Sequence, residues 1–284
     1  MAPNVELGEF LRSRRARVRP DDLGLPDYGS RRRVPGLRRQ EAAQLAGVSV
    51  EYYVRLEQGR AAHPSEQVLD AIATALRLDA AERAHLFSLA KQAPPRRRQV
   101  VREKVRPNIQ LLLDSMPNVP AFVLGRRMDV LAWNQLAAAL IVDFGALPPE
   151  ERNMARLAFL DPSARDYYPE WAKVGKETAA YLRLVAGRFP DDQGLISLVG
   201  ELSLRSPEFR RWWADHDVRD KANGVKRLNH PMVGEVVVAY ESLALAEPGQ
   251  TLVTYTVEPG TPSAAALALL STLTSDTASN KIVV

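Results

Sequence analysis

Apolar positions recur at helical spacing through residues 1–92 and then change period. Leu7, Phe10 and Leu11 make the stripe of a first helix whose other face carries Arg12, Arg14, Arg15 and Arg17. Residues 37–60 read as two short helices meeting at a tight turn. Ala43 is small enough for the helices to cross closely, and Gly47 can take the positive φ that turns the chain. Ser49 caps the second helix, and Tyr53 and Leu56, three apart, point inward. Val50, Glu51, Tyr52, Val54 and Arg55 are left facing outward. Pro64 and Ser65 open a fourth helix with Val68, Leu69, Ile72 and Leu76 at helical spacing. Asp79 and Glu82 make a capping box for a fifth, with Leu86 and Leu89 inward. The stretch 20–35, with Gly24, Pro26, Gly29 and the run Arg31–Arg33, reads as a loop. It either tracks phosphate or is a solvated charge run.

Residues 92–98, with Pro94, Pro95 and three consecutive arginines, make the clearest boundary, since consecutive prolines cannot continue a helix. Beyond it, residues 121–124 and 128–133 around a polar turn predict a β-hairpin. Residues 135–144 favour a helix, helical patterns dominate 148–214 with a start at Ser206 and Pro207, and strands are expected over 225–229, 233–243 and 251–257. Two early strands, intervening helices and three late strands predict an antiparallel sheet with helices over one face. A terminal helix is expected over 263–273 and a flexible tail over 275–284. The resulting division is a helical domain over 1–92, a linker over 93–106 and an α+β domain over 107–274.

The charge is uneven. Residues 1–106 hold 21 Lys and Arg against 13 Asp and Glu, and the remainder 17 against 21. A basic head on an acidic body fits binding to DNA, with the helix opened by Ser49 lying in the major groove. Val50, Glu51, Tyr52 and Arg55 are expected at base edges, Arg55 suiting guanine and Glu51 accepting from cytosine or orienting Arg55. Arg38, Arg39, Gln40, Ser49, Gln58 and Arg60 are expected at phosphates. Arg38 and Arg39 stand at a helix start, where the backbone dipole disfavours cations, which suggests an external anion. A single head buries little surface, so a homodimer on double-stranded DNA is expected, with half-sites about one helical turn apart.

Residues 37–60 resemble the phage-repressor-type (Xre) helix-turn-helix. Further stretches are similar to the MmyB-like transcription regulators: residues 7–15, 31–39 and 52–60, then 126–134, 151–153, 159–162, 206–209 and 230–234. The resemblance spans nearly the whole chain in consistent order. It implies a five-helix DNA-binding domain followed by a PAS-like ligand-sensing domain with a large helical insert.

The segment 144–213 carries Phe144, Phe159, Tyr167, Tyr168, Trp171 and Trp213 among its aromatics. These either fill a core or enclose an apolar pocket for a small hydrophobic effector. Candidate pocket residues are Trp133, Asn134, Arg152, Asn153, Phe159, Trp171, Arg183, Trp213 and His230; the polar ones either orient a head group or satisfy structural hydrogen bonds. The alternative is a C-terminal domain that only dimerises.

Enzyme chemistry finds no support. The chain has no cysteine, no Gly-rich phosphate loop and no Gly-x-Ser-x-Gly elbow. His216 and Asp217 suggest a metal pair without further ligands nearby. No cofactor is expected. The N-terminus lacks a basic segment followed by an apolar stretch, and no apolar run nears the ~20 residues that cross a bilayer, so a cytoplasmic, non-membrane protein is expected.

Overall fold

The computed structural model describes residues 4–23, 36–61, 64–90 and 103–280. The Arg31–Arg33 run and all but residues 103–106 of the expected linker lie outside them. Two compact units are present. The first holds the described part of Met1–Arg98 together with Arg183–Asp191 and Arg211–Asp220, and the second holds the rest.

In the first unit, α1 (Val5–Arg17), α2 (Arg39–Leu45), α3 (Val50–Glu57), α4 (Glu66–Ala75) and α5 (Ala80–Ala90) follow one another, with a 3-10 turn at Pro20–Leu23. The caps lie where the sequence places them. Ser49 Oγ accepts from the Tyr52 N–H at 3.1 Å and Ser65 Oγ from the Val68 N–H at 3.3 Å. Asp79 and Glu82 cap each other's backbone N–H groups. α2 closes at Gly47 (φ +63°), with the Val48 N–H donating to the Ala43 carbonyl; α3 closes the same way at Gly59, with the Arg60 N–H donating to Arg55. Gly8 lets α1 lie against α3, for a Cβ there would stand 2.2 Å from the Glu57 carbonyl oxygen. Phe10, Leu11, Leu37, Tyr53, Leu56 and Ile72 centre the core.

Two differences from expectation matter. Arg14 is not on a solvated face of α1; it is 2% exposed. The core also takes Leu184 (0% exposed) and Val218 (5%), and segments 183–191 and 211–220, which the sequence places within 107–274, group with the first compact unit.

The second unit begins with α6 (Pro107–Asp114), then β1 (Ala121–Leu124), β2 (Val130–Trp133), α7 (Gln135–Leu140), α8 (Met154–Leu160), α9 (Ala164–Tyr167), most of α10 (Trp171–Arg188), α11 (Gln193–Arg205) and the start of α12 (Pro207–Ala214). It ends with β3 (Asn223–His230), β4 (Gly234–Ala244), β5 (Thr251–Thr256) and α13 (Pro262–Asn280). The five strands form one antiparallel sheet in the order β2-β1-β5-β4-β3. Ala121, Phe122 and Val123 are all buried, so β1 needs cover on both faces. Ile109 and Leu113 of α6 supply it on the side of Ala121, Val123, Ala132 and Leu252, while Phe144 meets Phe122 and Trp133 on the other. Both faces of the sheet are therefore covered, one by α6 and the other by Phe144 from the turn after α7. The terminal helix does not stop at 273 but runs to Asn280, since no proline or glycine interrupts it.

Candidate functional site

The outward residues of α3 lie as the turn geometry requires. Val50 is 40% exposed, Glu51 and Arg55 are exposed and Tyr52 is half-buried, while Tyr53, one residue on, is fully buried. The Arg55 guanidinium stands 5.7 Å from the centre of the Tyr52 ring. Arg55 is thus steadied by Tyr52 within its own helix.

Among the residues expected at phosphates, Arg39, Gln58 and Arg60 line one cleft of about 330 Å³ together with Val5, Arg12 and Glu57. Arg60 donates to Gln58 Oε1 at 3.2 Å. Arg38, Gln40 and Ser49 are not among the cleft's lining residues; Gln40 and Ser49 are exposed, and the Arg38 backbone N–H donates to Glu41 at 2.6 Å. The cleft is floored by Glu57, whose side chain is 1% exposed. Its carboxylate accepts from Arg15 Nε at 2.6 Å and from Arg39 Nε at 2.7 Å. Arg39 thus has one anionic partner inside the domain, while half of its side chain stays exposed. Glu57, an acid in the last turn of α3, opposes the helix dipole and needs a cation. Burial, with Glu57 beside it, raises the Tyr53 hydroxyl well above its ordinary range.

The proposed ligand residues do not converge. Asn134 Oδ1 accepts from the Ala121 and Ala137 N–H groups, and its Nδ2 donates to the Met116 and Val119 carbonyls. Asn153 caps α8 through Ala155 and Arg156 and donates to Arg127 and Asp129. His230 bridges the Ala139 carbonyl and the Met232 N–H. These three polar groups are spent on backbone and, for Asn153, also on the Asp129 carboxylate, as buried polar groups generally find partners. Trp133 lies against Phe144 and beneath Arg152, which also donates to the Leu147 carbonyl. Phe159 packs edge-on to Trp171 and Phe209, and Trp171 Nε1 donates to Ala158. Arg183 and Trp213 belong to the first unit, where the guanidinium stacks 3.9 Å from the indole centre and donates to the Trp213 carbonyl. Burial lowers the Arg183 pKa to about 10.

A cavity of about 400 Å³ in the second unit is lined by Leu157, Leu160, Glu150, Arg156, Asp161 and Glu201 among others, and by none of the nine expected residues. Sequence reasoning also missed a lysine among tyrosines. Lys226 Nζ lies 3.3 Å from the Tyr255 hydroxyl and 4.8 Å from the centre of the Tyr240 ring, with Tyr240 and Tyr255 paired across β4 and β5. Lys221 donates to Thr178 Oγ1 at 2.7 Å, and burial lowers its pKa to about 7. Alternation along β3 was the available signal, since Lys226 and Leu228 fall on one face.

His216 Nε2 lies 3.6 Å from Glu9, and Asp217 takes Arg14 and Arg17.

The family described as MmyB-like transcription regulator ligand binding domain matches residues 105–270, and that described as helix-turn-helix domain matches residues 6–86. No curated protein matches the chain.

Proposed function

The chain belongs to the family of MmyB-like transcription regulators, and from that premise we propose that it is a sequence-specific, homodimeric regulator whose C-terminal domain senses a small hydrophobic molecule. The observation that carries the DNA reading is the exposed row on α3 above a fully buried Tyr53 and Leu56, with Arg39, Gln58 and Arg60 gathered in one cleft beside it. Val50, Glu51, Tyr52 and Arg55 read base edges; Arg38, Arg39, Gln40, Ser49, Gln58 and Arg60 hold phosphates. Neither matched family is enzymatic, no helix among the described residues is long and apolar enough to cross a membrane, and action in the cytoplasm belongs to this reading.

Two substitutions test it. Arg55→Ala should cost about 1–3 kcal/mol on a selected duplex and relax its sequence preference. Arg39→Ala should weaken all duplexes alike and reduce the salt slope by about 1. Equal loss of specificity in both variants would refute the assignment.

Ligand sensing draws support from the match of residues 105–270 to the MmyB-like ligand binding domain. The commitment of Asn134, Asn153 and His230 to backbone favours the second reading, a domain that only dimerises. Thermal shift of the full chain against lipids and aromatic metabolites separates the two, because only a sensing domain gains stability from a bound compound.

A further inference from the structure

α1 faces two ways through consecutive residues. Arg15 reaches the buried Glu57 carboxylate at the end of α3, and Gly8 lets the two helices touch. Arg14, about a hundred degrees around the helix, turns instead to residues 215–217. Its Nη1 donates to Glu82 at 2.6 Å, and its Nη2 donates to the Asp215 carbonyl at 3.1 Å, to the His216 carbonyl, and to Asp217 Oδ1 at 3.2 Å. Asp217 also accepts from Arg17 at 3.0 Å. Beside this socket the last turn of α10 presses on α5. Ser88 Oγ donates to the Gly187 carbonyl at 2.8 Å, and a Cβ on Gly187 would stand 2.2 Å from the His85 ring. Leu184 and Val218 complete the core beneath.

We propose that α1 is a two-sided coupling bar: Arg15 ties it to the reading helix, Arg14 ties it to segments 183–191 and 211–220, and DNA occupancy is thereby linked to the state of the ligand-binding region. This rests on the DNA reading above. Both segments lie inside the family match at 105–270 and are continuous with the helices and strands of the second unit. A guanidinium at 2% exposure is tolerable only while its acceptors surround it. A displaced 215–217 segment therefore leaves Arg14 Nη2 without its three acceptors and Glu82 alone to hold the buried charge. His216, which is not glycine, is held at φ +52°, a conformation that persists only where the surroundings impose it. The coupling requires that this segment exchange between an arrangement docked on Arg14 and a released one.

Coupling is reciprocal, so DNA must act back on the segment. The test is hydrogen exchange on the full chain with and without a duplex selected from genomic fragments. In the wild type the duplex should alter exchange of amides in 211–220 by about tenfold, within the usual range of coupling factors. In Arg14→Ala that response should vanish while the duplex still protects 36–61. Asp217→Asn, at a half-exposed side chain, should halve the response or more and serves if Arg14→Ala does not fold. Protection of 36–61 with no change in 211–220, or a response that survives in the variants, overturns the coupling. A duplex that protects neither segment overturns the DNA reading, and the coupling with it.

Discussion

Glu57 offers the sharpest test of how the reading head is held. Its side chain is 1% exposed and its two partners differ in burial, with Arg15 at 13% and Arg39 at 52%. Glu57→Gln leaves Arg15 as an uncompensated cation between α1 and α3, which should cost about 3–5 kcal/mol. Arg39→Ala breaks a half-exposed pair and leaves Glu57 with Arg15, so its cost should fall within about 0–1 kcal/mol. Replacing both buried partners by apolar residues, Arg15→Met with Glu57→Leu, should recover most of the Glu57→Gln loss, because no orphaned charge remains. Urea unfolding followed by helical circular dichroism reads all three. A Glu57→Gln variant within about 1 kcal/mol of wild type, or a double variant as unstable as the single, would refute the buried-pair argument.

Other consequences follow from single positions. Gly8→Ala places a methyl group against the Glu57 backbone and should cost about 3 kcal/mol, whereas Gly47→Ala meets open space and suffers only the left-handed backbone, about 1 kcal/mol; equal losses on thermal unfolding would contradict the close approach of α1. Asn134→Ala abandons the donors and acceptors of the β1–α7 corner and should cost about 3 kcal/mol by the same assay, against near-neutrality if the side chain served only a ligand. Burial, with Arg183 adding to it, holds His85 down to about 3 and His216 down to about 4, against an ordinary 6.5. Above pH 6.5 both states carry neutral rings. As pH falls below it, the unfolded chain takes up protons the folded one refuses, so His85 alone should withdraw about 1.4 kcal/mol per pH unit until about pH 3. Glu6 and Glu82, raised by burial, act with opposite sign in acid, so the quantity to measure is the difference between wild type and His85→Leu. A difference that does not change between pH 7 and 5 would contradict a neutral buried imidazole.

What the sequence made legible was local. Ser49, Ser65, Gly47, Gly59 and the Asp79–Glu82 box act within a few residues of themselves, so their caps and turns could be read directly. The strands from 223 to 256 declared themselves by their runs of β-branched and aromatic residues. Three things depended on distant partners and were hidden. Arg14 has the pattern of an exposed helix residue, and only Glu82 and the 215–217 backbone, far along the chain, make its burial tolerable. Arg39 announced an anion without saying that Glu57, on α3, is one of its partners. Asn134, Asn153 and His230 announced special chemistry, yet their bonds close corners of the fold. A polar residue in an apolar pattern signals that it has a partner; spacing does not say which one.

The most direct measurement of the central claim is competition binding with footprinting: purified full chain, duplexes selected from genomic fragments, and random duplex as competitor at modest ionic strength. A preferred duplex should emerge, with protected half-sites about one helical turn apart and a preference that Arg55→Ala erodes. Indifference between selected and random duplex across the salt series would contradict the account at its root.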